Sequence, residues 1–173
     1  MGQVSIRKAT LDDVEGIRRV CVAGQRDTYA TLRQPGETEA IIAEWYSPER
    51  ISRDIQDTSS WNGYYVAVDA DEVVGAGGGA LVMPASSEIY VLYLDPNRRG
   101  EGVGTLLLNA ITAELIAQGA CEQWVSVTPN NSKGIPFYKA RGFLKKGERT
   151  YEDTDTVSWL FWRSIGNAAI ADT

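Results

Sequence analysis

Apolar positions recur along the chain at two periods, and each change of period marks an element. Val4 to Arg7 alternates as a short first strand. Thr10 then reads as a helix cap, with Asp13 as the acidic half of a capping box. Val14, Ile17 and Cys21, with Val20 alongside, fall at helical spacing, so a first helix is expected from Leu11 to about Gly24. Arg33-Gln34-Pro35-Gly36 reads as a break, after which Ile41, Ile42 and Trp45 suit a short second helix. Ser47-Pro48 is a cap followed by a first-turn proline and opens a third helix through Ile51 and Ile55.

The middle of the chain changes to strands. Tyr64 to Val68 and Val73 to Val82 form a hairpin across the polar turn Asp69-Ala70-Asp71-Glu72. The second of these carries Gly75, Gly77, Gly78 and Gly79, which in a strand signal a bulge or a close backbone approach. Glu88 to Leu94 is a third strand. A strong helix follows from about Val103 to Gln118, with Leu107, Leu108, Ile111 and Leu115 on its apolar face and Gly119 as its stop. Trp124 to Val127 is a strand and Ser132 to Arg141 a helix closed by Gly142. Phe143 to Tyr151 and Val157 to Trp162 make a closing hairpin, with Trp159 and Trp162 on opposite faces. This order predicts an α+β, or mixed α/β, fold around a central sheet.

Length and composition narrow the class. A chain of 173 residues fits one domain, expected over 1–165 with a flexible tail at 166–173. Hydrophobic residues at 43% and charged ones at 23% suit a soluble globular protein. No apolar run approaches the ~20 residues of a membrane helix, and the N-terminus does not read as a secretory signal. The expectation is a cytoplasmic protein without a membrane partner. There is no histidine, which removes histidine-based triads and argues against a metal site. Cys21 and Cys121 are expected to be reduced and buried. A net charge of -6 argues against nucleic acid as a partner and is compatible with a cationic substrate.

The chemistry concentrates in Arg99-Gly100-Glu101-Gly102-Val103-Gly104-Thr105, which leaves a strand and opens a helix. Glycines let backbone approach a ligand, first-turn amides point outward, and the helix dipole favours an anion. Together these make a cradle for a pyrophosphate. A P-loop would need Lys and Ser/Thr after its last glycine, but Thr105 and Leu106 follow Gly104. A dinucleotide fingerprint fails at Thr105 or at Leu107, depending on where it starts.

Arg99, Gly102 and Gly104 do fill the Arg/Gln-x-x-Gly-x-Gly/Ala signature of the GNAT superfamily of N-acetyltransferases. The strand end Leu92-Tyr93-Leu94-Asp95-Pro96 stands just upstream. Asn131, then Phe137-Tyr138, then Gly142-Phe143 resembles that family's second signature. The resemblance is sharpest from Glu88 to Phe143. It implies a mostly antiparallel sheet of six to seven strands splayed in a V, with helices on both faces. It also implies acetyl-CoA as cosubstrate, no metal, transfer to a primary amine of a small molecule (polyamine or amino-acid-like) or peptide by direct attack, and a possible homodimer.

Carried onto this chain residue by residue, the resemblance gives expected roles. The backbone of Leu92 and Leu94 would pair with the pantetheine arm, and an amide near Leu92 or Tyr93 would polarise the thioester carbonyl. The segment Arg99, Gly100, Glu101, Gly102, Val103, Gly104 and Thr105 would hold the pyrophosphate. Asn131 and Lys133 would contact the coenzyme arm, although Asn131 also reads as a turn asparagine. Tyr138 resembles the general acid that protonates the leaving thiolate; its alternative is a core tyrosine. Glu88 is the general base expected in the absence of histidine, sharing a strand face with Tyr90, Leu92 and Leu94, or else a solvated strand-end glutamate. Tyr90 could line the acceptor site. Glu152, Asp153 and Asp155 could attract a cationic acceptor, or simply form a solvated turn. Two other functions compete: a catalytically silent acyl-CoA sensor, and a nucleotide-phosphate enzyme, which the missing lysine disfavours.

Overall fold

The computed structural model describes residues 2–154 and 156–166. In chain order these form β1 (Ser5–Lys8), a 3-10 turn (Leu11–Asp13), α1 (Val14–Tyr29), α2 (Pro35–Trp45), α3 (Pro48–Gln56), β2 (Tyr65–Asp69), β3 (Glu72–Met83) and β4 (Ser86–Leu94). A second 3-10 turn (Pro96–Arg98) leads to α4 (Val103–Ala117), β5 (Glu122–Val127), α5 (Gly134–Ala140), β6 (Leu144–Tyr151) and β7 (Thr156–Ser164). The hydrogen-bonded strand order is β1-β2-β3-β4-β5-β7-β6. Pairs β1–β2, β2–β3, β5–β7 and β6–β7 are antiparallel, and β4–β5 is parallel from Ser86–Glu122 to Ile89–Val125. The fold is the expected mixed α+β with a mostly antiparallel sheet.

The chain divides into two compact units, Met1–Gly79 with Val91–Ala113 and Ala80–Tyr90 with Glu114–Thr173. In the first unit the alternating residues of β4 go to two separate cores. Val91 and Tyr93 pack with Ile17, Val20, Cys21, Ile42, Tyr46 and Ile51 of the first three helices. Leu92 and Leu94 pack with Val103 and Leu107 of α4. This is the strand period of two, with one face given to each helical layer. The glycines of β3 make the fit possible: a Cβ on Gly75 would stand 2.7 Å from Leu107, and one on Gly77 2.9 Å from the Val91 carbonyl. The close approach read from those glycines is therefore present.

Three expectations for this unit need correction. The first helix does not stop at Gly24 but continues to Tyr29. Gly24 serves contact instead, because a Cβ there would lie 2.8 Å from Cδ1 of Tyr93. Its first residues form a 3-10 turn, where the Thr10 amide donates to Asp13 Oδ2 at 2.7 Å and completes the acidic half of the capping box. The break read at Arg33-Gln34-Pro35-Gly36 ends at Gln34, and Pro35 begins α2, since a first-turn proline gives up only an amide that has no helical partner. Ser47 caps α3 as expected, its Oγ accepting from the Arg50 amide at 3.1 Å.

The second unit is built on β5, β6 and β7, with buried Val125, Val127, Phe143 and Phe161. Trp124 and Trp162 face each other across the β5–β7 ladder. Both indoles donate to Glu122, at 3.1 and 2.8 Å, and these bonds, Trp162 first, hold its carboxyl below the usual range. Cys121 is exposed, contrary to expectation, while Cys21 is buried. The position before β5 puts only the Cys121 backbone into the sheet, where its amide donates to the Ala85 carbonyl at 2.7 Å. Ile165 is buried and its amide bonds the Cys121 carbonyl at 2.9 Å. Beyond Gly166 the expected tail lies outside the described residues, as does Asp155.

Candidate active site

In the first unit, β4 runs into a turn and then the glycine loop. The Asp95 amide donates to the Val74 carbonyl at 2.9 Å, and Asp95 Oδ1 accepts from the Asn97 amide at 2.9 Å, so the strand end is fixed on both sides. Gly100 and Gly102 have φ of +81 and +83°, a region that L side chains enter at a cost. Among the described residues nothing lies within 4 Å of where a Cβ would stand on either, so no packing contact excludes a side chain there and the backbone conformation is what calls for glycine. The first α4 hydrogen bond runs from the Leu106 amide to the Gly102 carbonyl at 3.1 Å. The amides of Val103, Gly104 and Thr105 therefore precede the helical ladder, as the first turn of any helix requires. A glycine cradle at the positive end of a 15-residue helix fits a pyrophosphate.

The side chains of the loop are committed elsewhere. Arg99 bonds Asp27 of α1 at 2.9 Å. Glu101 faces Arg98 at 2.7 Å, and Arg98 also reaches Asp69 at 2.6 Å. What the loop offers a ligand is thus its backbone. The same holds for Tyr93, whose phenol accepts from Gln25 Nε2 at 2.8 Å and stands 3.5 Å from the Tyr29 hydroxyl. Burial, with Tyr29 next, pushes the Tyr93 phenol far above its usual pKa, so it stays protonated. Arg33 extends this network, bonding Gln25 Oε1 at 3.0 Å and lying 3.6 Å over the Tyr29 ring.

In the second unit, α5 is a seven-residue helix held at both ends. Asn131, buried, accepts the amides of Lys133 and Gly134 on Oδ1 at 3.1 and 2.8 Å. Its side-chain carbonyl is therefore a cap, as the turn reading held, and the amide half is what a ligand could use. At the other end Gly142 has φ +88°, its amide returns to the Lys139 carbonyl at 3.1 Å, and the Phe143 amide returns to the Tyr138 carbonyl at 3.1 Å. These two bonds and the left-handed glycine are a Schellman closure. Tyr138 is buried, with Phe137 and Phe143 edge-on at 5.1 and 5.2 Å. Lys133 is exposed at the start of the helix.

Glu88 on β4 also belongs to this unit. Its Oε1 takes Arg149 Nη1 at 3.3 Å and Ser126 Oγ at 3.5 Å. The carboxylate is largely buried, at 14% exposure, so it is not the solvated strand-end residue of the alternative reading. Tyr90, on the same strand face, is half-exposed; partial burial first, and then the Glu88 charge, push its phenol upward. Arg149 gave no signal in the sequence, because it stands on β6, far along the chain from Glu88. The Arg98–Asp69 pair and the Gln25–Tyr93 bond were missed for the same reason. No cluster of three or more metal-ligating side chains occurs among the described residues, and no helix there is long and apolar enough to cross a membrane.

Comparison with known proteins agrees with this geometry. The chain is 27% identical over 158 residues to a spermidine N(1)-acetyltransferase of Thermoplasma acidophilum, covering 91% of this chain and 94% of that one. It is 32% identical over 99 residues to a mycothiol acetyltransferase of Kocuria rhizophila, covering 51% of this chain and 33% of that longer protein. Its fold superposes with a TM-score of 0.83 on the crystal structure of PaiA N-acetyltransferase from Thermoplasma acidophilum in complex with coenzyme A, at 23% identity over 94% of this chain and 99% of that one. The family model described as Acetyltransferase (GNAT) family matches residues 28–143, and with more than half its length covered the chain belongs to that family.

Proposed function

We propose that this chain is an acetyl-CoA-dependent N-acetyltransferase acting on a primary amine of a small cationic molecule of the polyamine kind. The observation that carries the cosubstrate is the glycine loop at the start of α4, where Gly100 and Gly102 hold positive φ and, among the described residues, nothing lies within 4 Å of an added Cβ. Two observations support the acceptor class. The spermidine N(1)-acetyltransferase relative matches nearly end to end. The segment from Pro35 to Asp57 carries Glu37, Glu39, Glu44, Glu49, Asp54 and Asp57 against Arg50 and Arg53; Glu39 is paired with Arg26 and Asp54 with Arg50, and the segment stays acidic overall.

Acetyl-CoA supplies an activated thioester and a thiol leaving group. The backbone from Gly100 to Thr105 holds its pyrophosphate, and the amides and carbonyls of Leu92 and Leu94 align its arm as an added strand would. An amide near Leu92 or Tyr93 donates to the thioester oxygen as charge develops there, a contact worth ~2.7–4 kcal/mol in comparable sites. The acceptor nitrogen forms its bond to the carbonyl carbon, the carbon–sulfur bond breaks, Glu88 takes the proton from nitrogen, and Tyr138 gives its phenolic proton to sulfur. A phenol suits that role because its ordinary pKa of ~10 keeps it protonated at neutral pH.

The test is thiol release from acetyl-CoA against polyamines, amino acids, aminoglycosides and short peptides. Turnover with polyamines above the others is expected. Turnover confined to peptides or amino acids overturns the acceptor class. Acetyl-CoA binding without turnover on any amine leaves a coenzyme-binding module in place of an enzyme.

A further inference from the structure

Glu101 presents a difficulty within the acetyl-CoA reading, on which this inference rests. It sits between Gly100 and Gly102, inside the loop proposed to hold the pyrophosphate. A carboxylate at that position repels a pyrophosphate, and like charges juxtaposed at a binding surface weaken association. The structure shows what becomes of it. Arg98, last residue of the 3-10 turn, donates Nε to Glu101 Oε2 at 2.7 Å and Nη2 to Asp69 Oδ2 at 2.6 Å. Asp69 closes β2, and its side chain is only 12% exposed, so this anchor is fixed to the sheet. The next turn is fixed as well. Arg19 of α1 donates to the Val73 carbonyl at 2.6 Å and lies 3.3 Å from Glu72 and 3.6 Å from Asp95.

We infer that Arg98 is a positioning residue for coenzyme binding, tethering the Glu101 carboxylate to the β2 end and so keeping its charge away from the phosphate side of the glycine loop. A guanidinium suits this task because its planar fork can serve two carboxylates at once, which an ammonium on a flexible stem does poorly. Arg98 touches neither the acyl group nor the amine in this scheme. Its effect falls on coenzyme affinity and on KM for acetyl-CoA, not on kcat at saturation.

The experiment is calorimetric titration of the purified full chain with coenzyme A. Wild type, Arg98→Met, Glu101→Gln and the double variant are compared at low and at high salt. At low salt Arg98→Met is expected to weaken binding about tenfold, with a smaller effect at high salt because the repulsion is screened. Glu101→Gln alone weakens binding less than Arg98→Met does, because it removes the charge that Arg98 holds. Added to Arg98→Met, it restores affinity to within about threefold of wild type, since there is no longer a charge to hold off. Arg98→Lys falls between wild type and Arg98→Met, and it replaces Arg98→Met should that variant fail to fold. Unchanged affinity in Arg98→Met, or a double variant as weak as the single one, overturns the role of Arg98. A wild-type chain that binds no coenzyme A overturns the acetyl-CoA reading itself.

Discussion

The Phe143 amide donates to the Tyr138 carbonyl at 3.1 Å, and the two rings meet edge to face at 5.2 Å. Backbone and side chain thus fix the same pair, and between them stands Gly142 at φ +88° with open space around it. The expected result of Gly142→Ala is a loss of about 1–2 kcal/mol, from placing an L residue in the left-handed region and not from any clash. Denaturant unfolding measures it. Because this turn aims Tyr138, kcat should fall in the folded variant as well. A variant as stable as wild type would show that the turn relaxes without cost.

Asp13 ties stability to acid. Its buried carboxylate takes Arg7 through two bonds, at 2.7 and 2.9 Å, and the Thr10 amide at 2.7 Å. The Arg7 bonds, foremost, hold its pKa below the ordinary value despite burial. A depressed folded pKa adds stability above the unfolded value of ~3.9, and that contribution disappears as pH falls through the lower folded value. Asp13→Asn should therefore be less stable at neutral pH, by about 1 kcal/mol given the exposure of Arg7. Its Tm should also fall less than that of wild type between about pH 6 and pH 3. Parallel Tm curves for the two proteins would remove Asp13 from the acid response.

Much of this molecule is legible in the chain because its signals are local. The glycines of the loop, the Ser47 cap and Gly142 each act within a few residues, and the pattern places them correctly. The larger errors arise from partners distant in sequence. Gly24 reads as a helix stop because glycine often is one, yet it is small so that Tyr93, far along the chain, can lie against it. Arg149 cannot be matched to Glu88, nor Arg98 to Asp69, by any spacing rule, since strand pairing brings them together. Cys121 looks apolar by type but stands exposed at a strand entrance, where its backbone joins the sheet and its thiol reaches the Gly119 carbonyl. The two signatures supply the family; Arg98–Glu101 is a local pair, while Arg98–Asp69 and Arg149–Glu88 come only with the tertiary structure.

The two cysteines should separate cleanly by reactivity. Cys21 is fully buried among apolar side chains, and burial pushes its thiol far above the usual range; Cys121 is exposed. A colorimetric thiol reagent should modify one thiol in the native protein, lost in Cys121→Ser, and both of the 2 cysteines after denaturation. Rapid native modification of both would mean that α1 opens readily from its core.

Tyr138→Phe keeps the ring between Phe137 and Phe143 and removes only the hydroxyl. If that hydroxyl supplies the proton for sulfur, kcat falls by ~10²-fold while KM for acetyl-CoA and Tm stay close to wild type. A fall in Tm with kcat unchanged would make Tyr138 a packing residue. Steady-state kinetics beside a thermal melt separates the two.

Glu88 has two possible employments, partner of Arg149 or acceptor of the amine proton, and pH distinguishes them. Glu88→Gln keeps an oxygen for Arg149 Nη1, 3.3 Å away, and for Ser126, so the fold should persist. What it loses is a base. At neutral pH an alkyl amine arrives as ammonium, and kcat/KM should fall by ~10²-fold without a group to take its proton. As pH rises toward ~10, the ordinary range of an alkyl ammonium, a growing fraction of acceptor arrives already neutral. The gap between wild type and Glu88→Gln should then narrow. Arg149→Met, which leaves the carboxylate in place, should lose less activity than Glu88→Gln at neutral pH. A deficit in Glu88→Gln that stays constant across the pH range would mean that Glu88 holds Arg149 and that another group, or an ordered water, takes the proton.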